Sequence, residues 1–133
     1  FAVDGFRVMV ERRHNARGEL ITVSEATVKL TVDGRQIMSV AEGNGPVNAL
    51  DNALRKDIGS FVKYIQDLEL VDFKVRILDG GTGAVTRVLI ESADGKVGRW
   101  FTVGVSPNLI DASFMALVDS ITYKLFKDGA TAP

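Results

Sequence analysis

Two stretches of this chain carry the same punctuation at the same spacing, and that repeat restricts the fold more than any other feature. Asp33-Gly34 is followed after eight residues by Gly43 and, two residues later, by Pro46; Asp94-Gly95, Gly104 and Pro107 repeat the pattern 61 positions on. Apolar and polar residues alternate on both sides of each Asp-Gly, as in two strands joined at a hairpin turn. Each proline then opens an amphipathic run, where its preset φ suits a helix start and its missing N–H goes unneeded. Self-similarity at this length means one supersecondary unit used twice.

In the first copy, Phe6, Val8 and Val10 alternate with Arg7, Met9 and Glu11 as a half-buried strand. Arg12 to Gly18 reads as a polar connection, and Ala26–Val32 and Gln36–Glu42 as the next two strands. A helix is expected from Pro46 to about Tyr64, with Val47, Leu50, Leu54, Ile58, Phe61 and Ile65 on one face. Gly59 inside it costs about 1 kcal/mol against alanine, which marks a weak spot or an early end.

In the second copy, Leu68 to Leu78 is the first strand, with Val71, Phe73, Val75 and Ile77 on one face and Asp72, Lys74 and Arg76 on the other. Asp79-Gly80-Gly81-Thr82-Gly83 is read as a turn, because a phosphate loop would need a helix after it and a strand follows. Val85–Ser92 and Lys96–Val105 form a hairpin about Asp94-Gly95. Ser106 is expected to cap a helix running from Pro107 to about Phe126. Ile110, Phe114, Leu117, Ile121 and Leu125 form its stripe; Leu109, Met115, Val118 and Phe126 broaden it. Such a helix is either well buried under its own sheet or packed by one face on a second subunit. Lys127–Pro133 reads as a frayed tail. The expected fold is α+β: a single domain over 1–133 made of two βββα units, about 5–66 and 67–127, related by an internal pseudo-twofold repeat. The helices pack on mainly antiparallel sheets.

Composition removes several classes of function. A net charge of −1 argues against a nucleic-acid binder. With no cysteine there is no thiol nucleophile or thiolate metal site, and nothing demands an oxidising compartment. No apolar run approaches the roughly 20 residues a membrane-spanning helix needs, and no signal peptide opens the chain, so no membrane partner and a cytoplasmic location are expected. The chain opens on Phe1 rather than methionine, which suggests a piece of a longer protein. An apolar fraction of 46% suffices for a sizeable core.

Catalytic chemistry is hard to find. His14 is the only histidine, in a polar stretch without triad or metal partners. Asp67, Glu69 and Asp72 read as solvated strand residues, since acid–base work needs two carboxyls converging on one cleft. Arg76 and Arg87 are expected to pair across the sheet with Glu91 or Asp72 rather than hold an acidic ligand. What stands out instead is a pair of glycine-opened helix starts, whose first-turn amides lack intrahelical partners and attract an anion.

Two groups of residues carry a family resemblance. Gly43-Asn44-Gly45-Pro46-Val47-Asn48-Ala49-Leu50 with Leu70-Val71-Asp72-Phe73-Lys74-Val75-Arg76-Ile77 form the first. Trp100-Phe101-Thr102-Val103-Gly104-Val105-Ser106-Pro107-Asn108-Leu109-Ile110-Asp111-Ala112-Ser113 form the second. Together they resemble the C-terminal regulatory domain of the isopropylmalate synthase and citramalate synthase family, the citramalate branch most. The resemblance runs from about Gly5 to Phe126 and implies two βββα units in a dimer.

It also implies a feedback domain that binds a branched-chain amino acid between subunits. Isoleucine is expected for the citramalate branch, and leucine for the isopropylmalate branch. A dimerisation module without ligand is the alternative of another class. The catalytic part would be a separate barrel of the same parent chain, condensing acetyl-CoA with a 2-oxo acid with the help of a divalent metal. A barrel of that kind takes about 250 residues, so this chain is expected to hold neither the activity nor a cofactor of its own. By the resemblance, Gly43 and Gly45 let the backbone approach the effector, and Val47 and Asn48 offer amides to its carboxylate. Leu70, Phe73, Ile77, Ala84, Pro107 and Leu109 surround its side chain. Leu70 has the opposite parity to Phe73 and Ile77 and would join them only at a bend or strand start. Phe73 stands where tyrosine is frequent in the family, so a hydroxyl contact is absent.

Overall fold

Asp33 and Gly34 take φ of 53° and 74°, the left-handed pair that a two-residue hairpin turn favours. They join β2 (Leu20–Val32) to β3 (Arg35–Gly43), and β2 pairs on its other side with β1 (Ala2–His14), antiparallel throughout. α1 (Pro46–Lys56) follows and lies against β3 and β2. This is the first unit, Phe1–Val62, of a computed structural model that describes residues 1–56, 58–78, 85–95 and 98–129.

Its core is the face that the period-two pattern marked: Ala26, Val28, Leu30 and Val32 of β2, closed over by Ala49, Leu50, Ala53 and Leu54 of α1. Each fully buried leucine or valine contributes about 1.5–3 kcal/mol. The apolar face expected from Val47 to Ile65 is buried nearly throughout, yet it is not one helix. α1 stops at Lys56, and a 3-10 helix runs over Gly59–Tyr64. Gly59 takes φ +61°, and a Cβ there would press on Val32 Cγ1 at 2.9 Å, so the backbone turns where only glycine fits.

The second unit, Lys63–Thr131, repeats the plan with β4 (Glu69–Ile77), β5 (Thr86–Asp94), β6 (Gly98–Ser106) and α2 (Leu109–Lys127). β4, β5 and β6 are adjacent in that order and antiparallel, and α2 packs on β6 and β5. Ile110 is half-buried, and Phe114, Leu117, Ile121 and Leu125 are buried beneath α2 as its stripe requires. Polar ties cross that interface too: Ser92 Oγ meets Ser120 Oγ at 2.5 Å, and Thr102 Oγ1 donates to the Ala116 carbonyl at 2.8 Å.

The copies differ in register. Val32 pairs with Arg35 across the first turn, but Asp94 pairs with Gly98 across the second, a three-residue connection. Gly43 and Gly104 nevertheless serve the same end. A Cβ on Gly43 would collide with the Ala49 amide nitrogen and lie 2.7 Å from Asn48 Oδ1; one on Gly104 would collide with the Ala112 carbonyl. Each glycine lets a helix backbone rest on a strand.

Three expectations are corrected at the helix ends. α2 begins at Leu109, two residues after Pro107, and its N-cap is Asn108; the Ser106 hydroxyl instead accepts from the Asn108 N–H at 3.1 Å. The supposed tail is ordered as far as Gly129: Lys127 ends α2 and lies over the rings of Trp100 and Tyr123, at 5.0 and 4.9 Å. Positions 130–133 and the glycine-rich 79–83 fall outside the described residues. Because both glycines face helix backbone that has little room to give, Gly43→Ala and Gly104→Ala are each expected to cost about 1–3 kcal/mol, measured as a lowered urea midpoint.

Candidate functional site

The start of α1 is held open by its own side chains. Asn44 N–H donates to Asn48 Oδ1 at 3.0 Å; Asn52 Nδ2 donates to the Glu42 carbonyl at 3.0 Å and reaches Asn48 Oδ1 at 3.4 Å. Ala49 N–H donates to the Gly45 carbonyl at 2.9 Å, closing the first helical turn. The Asn48 side chain is therefore spent on the turn. The backbone N–H groups of Val47 and Asn48 have no acceptor among the described residues. No acidic residue sits in the first turn of α1, and a Cβ on Gly45 would meet nothing within 4 Å. Free amides, an uncompensated dipole and open space over Gly45 suit a carboxylate.

The start of α2 is different. Asn108 Oδ1 accepts from Ile110 N at 2.9 Å and Asp111 N at 3.0 Å, and Asp111 places a negative charge in the first turn. Its anion-binding capacity is met internally. Pro107 and Leu109 are exposed beside it. The two helix starts match in sequence but not in chemistry.

β4 carries the apolar positions. Leu70 pairs with Ser92, Phe73 with Ile90, Val75 with Val88 and Ile77 with Thr86, with a register shift between Leu70 and Asp72. That bulge supplies the bend on which Leu70 depended, and it brings Leu70 onto the face of Phe73 and Ile77. It also removes Val71 from that face and leaves Val75, missing from the sequence-based site, between Phe73 and Ile77. Ile90 and Val88 are buried under α2, whereas Val75 and Ile77 at the edge are 45% and 65% exposed. Ala84 lies outside the described residues.

Nothing in the sequence reading singled out Lys124, which is fully buried on α2. Its Nζ reaches Asp94 Oδ2 at 2.6 Å, Asp128 Oδ2 at 2.8 Å and Asp67 Oδ1 at 3.1 Å. Burial alone would lower the pKa of the ammonium; hydrogen bonds to the three carboxylates more than reverse this and raise it. Asp67, expected to be solvated, is held below the usual aspartate value, chiefly by the hydrogen bond from Lys124. The arginine pairing also differs from expectation. Arg76 lies opposite Arg87, while Glu91 pairs with Arg99 at 3.1 Å and Asp72 with Lys74 at 3.7 Å. His14 closes β1 opposite Leu20 rather than sitting in the connection. Among the described residues no group of three or more His, Cys, Asp or Glu side chains could hold a metal, and no helix is long and apolar enough to cross a membrane.

The sequence profile of the LeuA allosteric (dimerisation) domain matches residues 1–125. The chain is 53% identical over 129 residues to the (R)-citramalate synthase of Geobacter sulfurreducens, covering 96% of this chain and 24% of that protein. It is 50% identical over 130 residues to the (R)-citramalate synthase of Aquifex aeolicus, again 96% of this chain and 24% of the relative. Against the 2-isopropylmalate synthase of Burkholderia multivorans the identity is 30% over 129 residues, 96% of this chain and 23% of the relative. The chain thus spans about a quarter of the length of these proteins.

Lys124→Met would remove the ammonium shared by the buried carboxylates of Asp94 and Asp128, and an unfolding titration at neutral pH is expected to show a loss of about 3–5 kcal/mol. Asp67 acts in acid. Its lowered folded pKa means that its contribution is complete above the ordinary value of 3.8 and is lost as pH falls through the folded value. Asp67→Asn should therefore flatten the decline of stability below pH 3.8, followed as unfolding midpoint against pH.

Proposed function

This chain belongs to the LeuA allosteric (dimerisation) domain family, and from that membership we propose that it is the feedback-regulatory part of a citramalate synthase, responsive to isoleucine. The observation that carries the reading is the open first turn of α1. Val47 and Asn48 present amide donors with no acceptor among the described residues, beside a glycine over which there is space. In the proposal these amides take the effector's carboxylate, with Gly45 allowing close approach and Gly43 contributing by seating α1 on β3. In the same proposal Leu70, Phe73 and Ile77, with Val75 on the same face of β4, contact an aliphatic side chain, as do Ala84, Pro107 and Leu109.

The choice of parent is supported by identities of 53% and 50% to two (R)-citramalate synthases, against 30% to a 2-isopropylmalate synthase. The parent would be a cytoplasmic transferase condensing acetyl-CoA with pyruvate on the way to isoleucine, with its divalent metal in a catalytic barrel outside this chain. Effector binding would bias a homodimer between arrangements, with a coupling of about 1–3 kcal/mol to the distant reaction. Met115 and Phe126, 43% and 80% exposed on the far side of α2, support a second subunit as partner.

Isoleucine, leucine and valine differ by a methylene or its position, worth about 1–3 kcal/mol in an apolar pocket. Calorimetric titration of the chain is therefore expected to rank isoleucine first, with sedimentation giving a dimer. Gly45→Ala should leave stability within about 0.5 kcal/mol yet weaken isoleucine binding at least severalfold, because the added methyl occupies the approach to the amides. A leucine-first ranking would reassign the parent to 2-isopropylmalate synthase. A dimer that takes up none of the three amino acids would leave only a dimerisation module.

A further inference from the structure

The face of the β1–β2–β3 sheet turned away from α1 carries cross-strand rows set by the register. Gly5, Lys29 and Met38 form one row, and Arg7, Thr27 and Val40 the next. Gly5 leaves a notch in the first row, since a Cβ there would meet nothing within 4 Å. With Asp4 the two rows line a groove of about 470 Å³, within the range of small-molecule sites.

The charges in the groove are unequally satisfied. Asp4 Oδ2 already accepts from the Thr31 hydroxyl at 2.6 Å and from Gln36 Nε2 at 3.4 Å. Arg7 and Lys29, diagonal neighbours across β1 and β2, form no ion pair among the described residues. Two like charges flanking a notch repel one another, and an anion between them relieves this. Beside them on β3, Met38 is 64% and Val40 39% exposed. The row beyond Arg7 holds Glu25 and Glu42, which keeps an anion to the Gly5–Lys29 end.

We propose that this groove is a second small-molecule site, separate from the α1 start, for a short apolar carboxylate without an amino group. The carboxylate sits over Gly5 between Arg7 and Lys29, and the aliphatic chain lies along Met38 and Val40. Two cations, Arg7 and Lys29, face a single carboxylate, Asp4, so the lining keeps one positive charge in excess; a monoanion matches that excess and a net-neutral zwitterion does not.

The test is amide NMR of the chain titrated with 4-methylpentanoate and, in parallel, L-leucine. The carboxylate is expected to move the Gly5, Thr27 and Lys29 amides. Arg7→Gln should weaken that binding roughly tenfold. Gly5→Leu, which fills the notch where a side chain has room, should abolish it with the thermal midpoint unchanged. Gly45→Ala should leave these shifts intact, so the groove is judged independently of the α1 start. Absent shifts, shifts that survive both Arg7→Gln and Gly5→Leu, or the same shifts with L-leucine at equal concentration would overturn the proposal.

Discussion

At Gly43 and at Gly104 a helix lies so close to a strand that the backbones themselves are in contact, and the rest of each unit follows from where that contact falls. The fourth residue of each helix, Ala49 in α1 and Ala112 in α2, meets its glycine. Between glycine and helix, however, lie two residues in the first unit and four in the second. The short path makes Pro46 the first helical residue and puts Gly45, which has no side chain, at the cap position, so the amides of Val47 and Asn48 open outward. The longer path makes room for Asn108, whose side chain closes the start of α2 on itself. One sequence pattern, copied, thus yields one receptive helix start and one that is satisfied.

This asymmetry marks the limit of what the amino-acid sequence could disclose. The hairpin at Asp33-Gly34, the buried stripe of each helix and the βββα order were legible because side-chain periodicity and turn chemistry act locally. Whether a proline stands inside a helix or just before it depends on the register of the preceding strand, and the three-residue connection after Asp94 shifted that register without disturbing the Gly-x-x-Pro spacing. The bulge between Leu70 and Asp72 was largely hidden for a related reason. The adjacent apolar Leu70 and Val71, where the alternation slips by one residue, leave a trace of it in the sequence, but only pairing with β5 shows that the strand stays continuous and carries an extra residue there. Lys124 left a fainter trace: a lysine three positions after Ile121, on the flank of an apolar stripe, with Asp128 one turn later. Its other partners, Asp67 and Asp94, are 57 and 30 residues away in the chain, beyond any local pattern.

That lysine also bears on the apolar face of β4. Asp67 precedes β4 by two residues, and Leu68 between them is buried. By gripping Asp67 together with Asp94 at the end of β5, Lys124 fixes the two strands where the bulge begins. A bulge pinned at its base holds Leu70 on the same face as Phe73, Val75 and Ile77. The cost of burying one ammonium is met by three carboxylates rather than one, which is the condition under which a buried charge is tolerated.

A three-stranded sheet covered by one helix has a second face that its own unit cannot bury. In the first unit that face includes Met38 and Val40; in the second it includes Phe101, Val103 and Val105, of which Phe101 is 61% exposed. α2 adds Met115 and Phe126 on its far side. Isolated exposed apolar residues are ordinary, but several on one strand are not. The βββα plan economises on residues by using a single helix per sheet, and the apolar surface it leaves over is the physical basis for a domain whose family is defined by association as well as by regulation. An effector that favoured one arrangement of such surfaces over another would need no large movement within either unit, because each is already closed around its own core and anchored at its own glycine.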